Sequence, residues 1–184
     1  MMCTKTLLRL DGTSAQVGSE ALCDIQRALY KEARLLDEER LDEWLEMLHD
    51  DLVYWMPNRE NFTRRFTAID IDPRRVALFE ETKNSMIMRI KRNQSGLCWT
   101  EDPPTRHVYS ISNIEGFVTD MENCFEVHSI GCLYRNRSER DSSTLFVRRK
   151  DLWKANSAAG MQLLARLVLL QQSTLRAKNL SVFF

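Results

Sequence analysis

The stretch LCDIQRALYKEARLLDEERLDEWLEMLHDDLVYWM, residues 22–56, decides the fold class. Leu22, Ile25, Leu29, Ala33 and Leu36 recur at steps of three and four, one face of an amphipathic helix. The charged run Asp37-Glu38-Glu39-Arg40 turns the chain, and Leu41, Trp44, Leu45 and Leu48 repeat the pattern in a shorter second helix. Leu52 to Met56 is rich in β-formers and stops at Pro57, so a first strand is expected there. Helices therefore come first and strands follow.

Working outward, residues 1–16 are read as a poorly ordered lead and 17–184 as a single domain. Asn58–Arg75 is polar and basic, with Arg59, Arg64, Arg65, Arg74 and Arg75, and reads as a loop excursion of the functional or interface-forming kind. Val76, Phe79, Lys83, Met86 and Ile90 mark a third helix ending before Gly96, a plausible residue to follow a helix end. Beyond it, Pro103-Pro104 should precede a strand rather than sit inside one. Strands are expected at about 106–118, 124–137, 144–154 and 161–172, separated by turn-rich segments. Three helices segregated onto one face of a mainly antiparallel meander make an α+β fold.

Lys plus Arg and Asp plus Glu number 26 each among 184 residues, a formal net charge of zero. Such a chain lacks the positive field that non-specific nucleic-acid binding needs, so no nucleic-acid partner is expected. Low net charge suits a chain that lives in an assembly. The five cysteines are odd in number and show no C-x-x-C spacing. Reduced thiols in the cytoplasm are the expectation. Neither a secretory signal nor an apolar run of ~18–20 residues is read, so no membrane partner is expected.

Chemistry-bearing patterns are sparse. His49, His107 and His128 have no His or Cys neighbour at helical spacing. His128 and Cys132, four apart on a predicted strand, stand ~13 Å apart. Metal ligand sets need donors converging at about 2.0–2.3 Å, so no metal site is expected on this chain. With six glycines and no G-x-S-x-G, P-loop or G-x-G-x-x-G, neither a nucleophile elbow nor a phosphate cradle is read. Asp37, Glu38, Glu39, Asp42 and Glu43 read as a solvated corner, with Asp37 as the carboxylate to watch. Trp44, Tyr54, Trp55 and Trp99 read as core, with subunit contact as the competing reading for Trp55 and Trp99. Tyr134-Arg135-Asn136-Arg137 and the basic residues Arg148, Arg149 and Lys150 read as an ion-paired strand surface or an interface.

Several blocks in order carry a resemblance: residues 29–57, FEETKNSMIMRIKRNQSGLCWTEDPPTR at 79–106, Ser112-Asn113, LYRNRSER at 133–140 and LLQQSTLRAKNLSVFF at 169–184. Over about residues 20–184 the chain resembles the small (β) subunit of aromatic-ring-hydroxylating dioxygenases, nearest the biphenyl, toluene and cumene group. The chain departs from that group at Thr105, at Leu170-Gln171-Gln172 and at Arg148. The resemblance implies a cystatin-like, nuclear-transport-factor-like cone, a trimer of itself, and three α subunits docked with three β. It implies that the α subunit carries the Rieske 2Fe-2S cluster and the mononuclear iron and cis-dihydroxylates an arene. Electrons would come from NADH through a reductase and ferredoxin. No cofactor and no catalytic residue are then expected on this chain. The expected interface residues are Trp55, Arg64, Arg65, Trp99, Asp102, Arg106, Tyr134, Arg135, Arg137, Leu180, Phe183 and Phe184. The tail Leu180–Phe184 is apolar, so burial against a neighbouring subunit is expected ahead of burial inside its own cone. The competing reading is a stand-alone lyase or isomerase on the same cone, with Asp37 and a histidine such as His107 as acid–base pair.

Overall fold

The computed structural model describes residues 9–59, 71–95, 104–139, 141–175 and 177–184. Helix α1 (Ser19–Asp37) buries Ile25, Ala28, Leu29, Glu32, Ala33, Leu35 and Leu36, the apolar stripe read from the sequence with one charge inside it. Its end is a Schellman arrangement. Arg40 N–H donates to Leu35 O at 2.9 Å and Glu39 N–H to Leu36 O at 3.3 Å, satisfying carbonyls the last turn leaves unpaired. Glu39 takes the left-handed position, φ 54°, usually held by glycine. Helix α2 (Leu41–Glu46) buries Trp44 and passes directly into strand β1 (Leu48–Pro57).

The third helix begins later than its periodicity suggests. Ala77–Glu81 is strand β2, antiparallel to β1 with Phe79 opposite Met56 and Glu81 opposite Tyr54. Helix α3 (Lys83–Gln94) starts only after Thr82, whose hydroxyl accepts from Ser85 N–H in a capping box. Val76 and Phe79 fit a helical step. Ala77, Phe79 and Glu81, however, also turn their half-buried side chains to one side, and the free edge of β1 offers them a ladder that helix could not use.

Strands β3 (Arg106–Val118), β4 (Cys124–Ser138), β5 (Asp141–Asn156) and β6 (Gly160–Leu170) form the expected antiparallel meander. The order is β2-β1-β6-β5-β4-β3, with β1 parallel to β6. That one parallel pair makes the sheet mixed. At Gly116 on β3, a Cβ would stand 2.8 Å from Val17 Cγ2 and 3.0 Å from Ile25 Cδ1. Glycine there lets the start of α1 lie against the sheet.

From Leu10 onward, the lead expected to be poorly ordered is tied down. Val17 N–H donates to Gly116 O, Val118 N–H to Ala15 O, and Gly12 N–H to the Glu126 carboxylate, while Leu10 is buried. The edge of β3 and Glu126 on β4 supply these partners. Two apolar clusters result. The inner one joins α1, α2, α3 and the sheet through Leu29, Trp44, Met86, Leu133 and Val168. The outer one joins Leu10, Trp55, Leu152, Ala165 and Leu167 on the opposite sheet face. Because β6 is covered on both faces, it reads as a nearly continuous apolar run.

Candidate functional site

Inside the cone the sheet register assembles charge. Asp151 on β5 lies opposite Arg166 on β6, and Arg166 lies opposite Tyr54 on β1. Arg149 is two residues from Asp151 on the same strand face, and Glu32 descends from α1. These four charged side chains, Glu32, Arg149, Asp151 and Arg166, are at most 4% exposed. Arg166 grips Glu32 at 2.7 and 2.9 Å and Asp151 at 2.9 and 2.8 Å. Arg149 donates to Glu32 at 3.2 Å and to Ser129 Oγ at 3.1 Å. The indoles of Trp44 and Trp153 donate to Glu32 and Asp151, each at 3.3 Å.

Two cations and two anions balance. Burial alone would push the Glu32 carboxyl up, but Arg166 and Arg149 outweigh it and hold it below the usual carboxylate range. Burial likewise opposes the Arg166 cation, and Asp151 and Glu32 overcome it, raising its pKa. A general base must reach a substrate proton. Glu32 and Asp151 spend their oxygens on guanidinium and indole donors in a dry interior. The cluster is a structural brace.

The segment 182–184 packs into the cone beside this cluster, and a depression lined by Leu36, His107, Tyr109 and Val182 stays open at its side. Val182, Phe183 and Phe184 are at most 4% exposed within their own chain. The Phe183 ring centroid lies 4.7 Å from that of Trp44 and 4.6 Å from the Arg89 guanidinium carbon. Phe184 N–H donates to Tyr54 Oη at 3.1 Å, and Arg166 donates to Phe184 O. Phe183 and Phe184, expected against a neighbouring subunit, are placed inside their own chain. The cone is deep enough to bury two aromatic rings, and burying them there needs no second chain.

Asp37 stands at the cone rim. Its Oδ1 accepts from Tyr109 N–H at 2.7 Å, tying the end of α1 to β3. Partial burial pushes its carboxyl up, against the lowering effect of that bond. His107, Glu39, Pro104, Arg106 and Arg137 line the same open depression. Asp37 is exposed in that depression.

Among the other expected interface residues, Arg106 and Tyr134 are exposed, Arg137 and Leu180 are half-buried, and Trp55 lies in the outer core. Trp55 packs with Leu10 and Leu167 on the sheet face it occupies. Arg135 is buried and donates to Asn179 O and Oδ1 at 2.8 and 2.6 Å. Arg64, Arg65, Trp99 and Asp102 lie outside the described residues. His128 pairs with Glu126 at 2.6 Å. Among the described residues no group of three or more His, Cys, Asp or Glu is arranged to hold a metal ion. No described helix is long and apolar enough to cross a membrane.

The buried brace was missed from sequence, although two signals pointed to it. Glu32 interrupts the apolar face of α1, and Arg166 is the single charge in the run Leu163–Leu170. A charge in such a place is retained only with partners.

Residues 31–177 match the family model described as ring hydroxylating beta subunit. The chain is 34% identical over 172 residues to benzene 1,2-dioxygenase subunit beta of Pseudomonas putida, covering 92% of each chain. It is 36% identical over 165 residues to biphenyl 2,3-dioxygenase subunit beta of Rhodococcus jostii, covering 88% of this chain and 87% of that one. A solved naphthalene 1,2-dioxygenase with indole bound superposes with TM-score 0.82 at 22% identity, covering 98% of this chain and 92% of that one. That last likeness speaks to fold alone.

Proposed function

Since the chain belongs to the ring-hydroxylating β-subunit family, we propose that it serves as the non-catalytic half of a terminal oxygenase in the cytoplasm. It forms a trimer that seats three α subunits. The α subunit carries the Rieske cluster and the mononuclear iron and adds both atoms of dioxygen to an aromatic hydrocarbon. Electrons arrive from NADH through a reductase and a ferredoxin. The benzene and biphenyl relatives support a hydrocarbon arene as substrate class.

One observation carries the structural role: the cone interior is filled. Phe183, Phe184 and the Glu32–Arg149–Asp151–Arg166 brace occupy the space where a cone-fold enzyme would need an open, polar cavity. The competing lyase or isomerase reading needs Asp37 to face such a cavity, and its carboxylate is instead spent on a β3 backbone N–H at the rim. Fold sharing leaves function to the site, and this site is closed.

The experiment is co-expression with the α subunit of a benzene or biphenyl dioxygenase of this family. A tagged chain should recover α in equal amounts, and arene dihydroxylation should require both chains. Recovery of the tagged chain alone, with full activity from α by itself, would contradict the reading.

A further inference from the structure

Residues 179–184 are held as a ligand is held. Among the described residues, no main-chain to main-chain hydrogen bond joins 177–184 to the sheet or helices. Side chains from four separate elements reach the main chain of the segment instead. Arg135 on β4 donates to Asn179 O at 2.8 Å, and Arg89 on α3 donates to Leu180 O and Val182 O at 3.4 and 3.3 Å. Tyr54 on β1 accepts from Phe184 N–H at 3.1 Å, and Arg166 on β6 donates to Phe184 O. Such contacts read main-chain groups in sequence along the segment, while Trp44 and the Arg89 guanidinium lie against the Phe183 ring.

A second observation lies at the inner end. Arg149 Nη2 is buried without a hydrogen-bond partner. Arg149 lines, with Phe184, Tyr109 and Leu133, a gap of ≈ 10 Å³. A donor left unpaired there is costly.

We propose that the cone is a peptide-binding site occupied in cis by its own segment 179–184, and that it accepts the same segment in trans: an extended peptide with two consecutive aromatic residues at its inner end. Main-chain recognition by Arg135, Arg89, Tyr54 and Arg166 supplies register, and the Phe183 and Phe184 pockets supply specificity. The segment is a separable plug that keeps the interior shut.

The test uses the full chain with a protease recognition sequence inserted between Ser173 and Thr174, both exposed. After folding and cleavage, the body should stay folded by circular dichroism. A fluorescent peptide NLSVFF should then exchange into it with saturable anisotropy, and a scrambled peptide should not compete. Arg135→Ala should weaken the peptide about ten-fold or more, as loss of a charged hydrogen bond to a peptide group does. Arg92→Ala, an exposed α3 substitution that removes none of the hydrogen bonds named here, should leave binding unchanged. Unfolding on cleavage, overnight failure of the peptide to exchange, or equal competition by the scrambled peptide would each overturn the proposal. No arm reads oxygenase activity, so the outcome is separate from that of the β-subunit reading.

Discussion

Arg166 on β6 and Glu32 on α1 meet as a two-point fork, Nη1 to Oε1 at 2.7 Å and Nη2 to Oε2 at 2.9 Å, with neither side chain reaching solvent. The contact joins the first long helix to the last strand, and Asp151 closes it from β5. Helix and sheet are thereby locked in one relative position. Apolar packing can hold such layers together, but it fixes their register less sharply than a bidentate pair.

Breaking one partner of a buried pair costs about 3–5 kcal/mol, because the other charge stays behind unpaired. Arg166→Met leaves Glu32 and Asp151 with Arg149 as the one cation of the cluster. Urea unfolding should show a loss of that size, and a loss under ~1 kcal/mol would mean the brace contributes little.

The same carboxylate sets an acid dependence. Folded Glu32 sits below its ordinary value of 4.5, so its contribution is fully present above that value and is lost as pH falls through the lower, folded one. Stability should therefore hold between about pH 7 and 5 and drop steeply below about pH 4. In Glu32→Gln the contribution is absent throughout. The gap between wild type and variant should narrow as the solution is acidified. A gap that widens in acid reverses the sign and refutes the assignment.

Glu39 holds a left-handed backbone position that a side chain disfavours by about 1–2 kcal/mol. Glycine relieves this strain but is itself more flexible when unfolded, by about 0.4–1 kcal/mol. Glu39→Gly should raise stability by up to about 1 kcal/mol in thermal or urea unfolding, whereas Glu39→Ala should not. Equal behaviour of the two variants would show that the Schellman geometry is unstrained.

Much of this architecture was legible beforehand. The α1 stripe and the four-strand meander follow from periodicities of 3.6 and 2 that burial enforces over long elements. Strand β2 was not legible, because five residues carry too few alternations to outweigh a helical step that includes Val76 and Phe79. The tail shows why local pattern stops at a chain end. Val182, Phe183 and Phe184 announce burial, but only the depth of the cone decides that the burial is within the same chain. Trp55 was ambiguous for a similar reason, since its cover comes partly from Leu10, more than forty residues away.

Asp37→Asn tests the rim. The raised carboxyl at Asp37 means its ionisation disfavours the folded state as pH rises through the folded value. Asparagine keeps an acceptor for Tyr109 N–H without the charge, so stability at pH 7 should be unchanged or slightly higher. Dihydroxylation by the assembled oxygenase should remain within a few-fold. A loss of ~10²-fold with assembly intact would assign proton-transfer chemistry to Asp37.

The most direct test compares this chain alone, the α subunit alone and the two assembled, measuring iron per chain and cis-dihydrodiol formed from an arene. The isolated β chain should carry far less than one iron and form no product, with full turnover only in the assembled complex. Stoichiometric iron with a Rieske-type spectrum on the isolated chain, or product formed by it alone, would contradict the account.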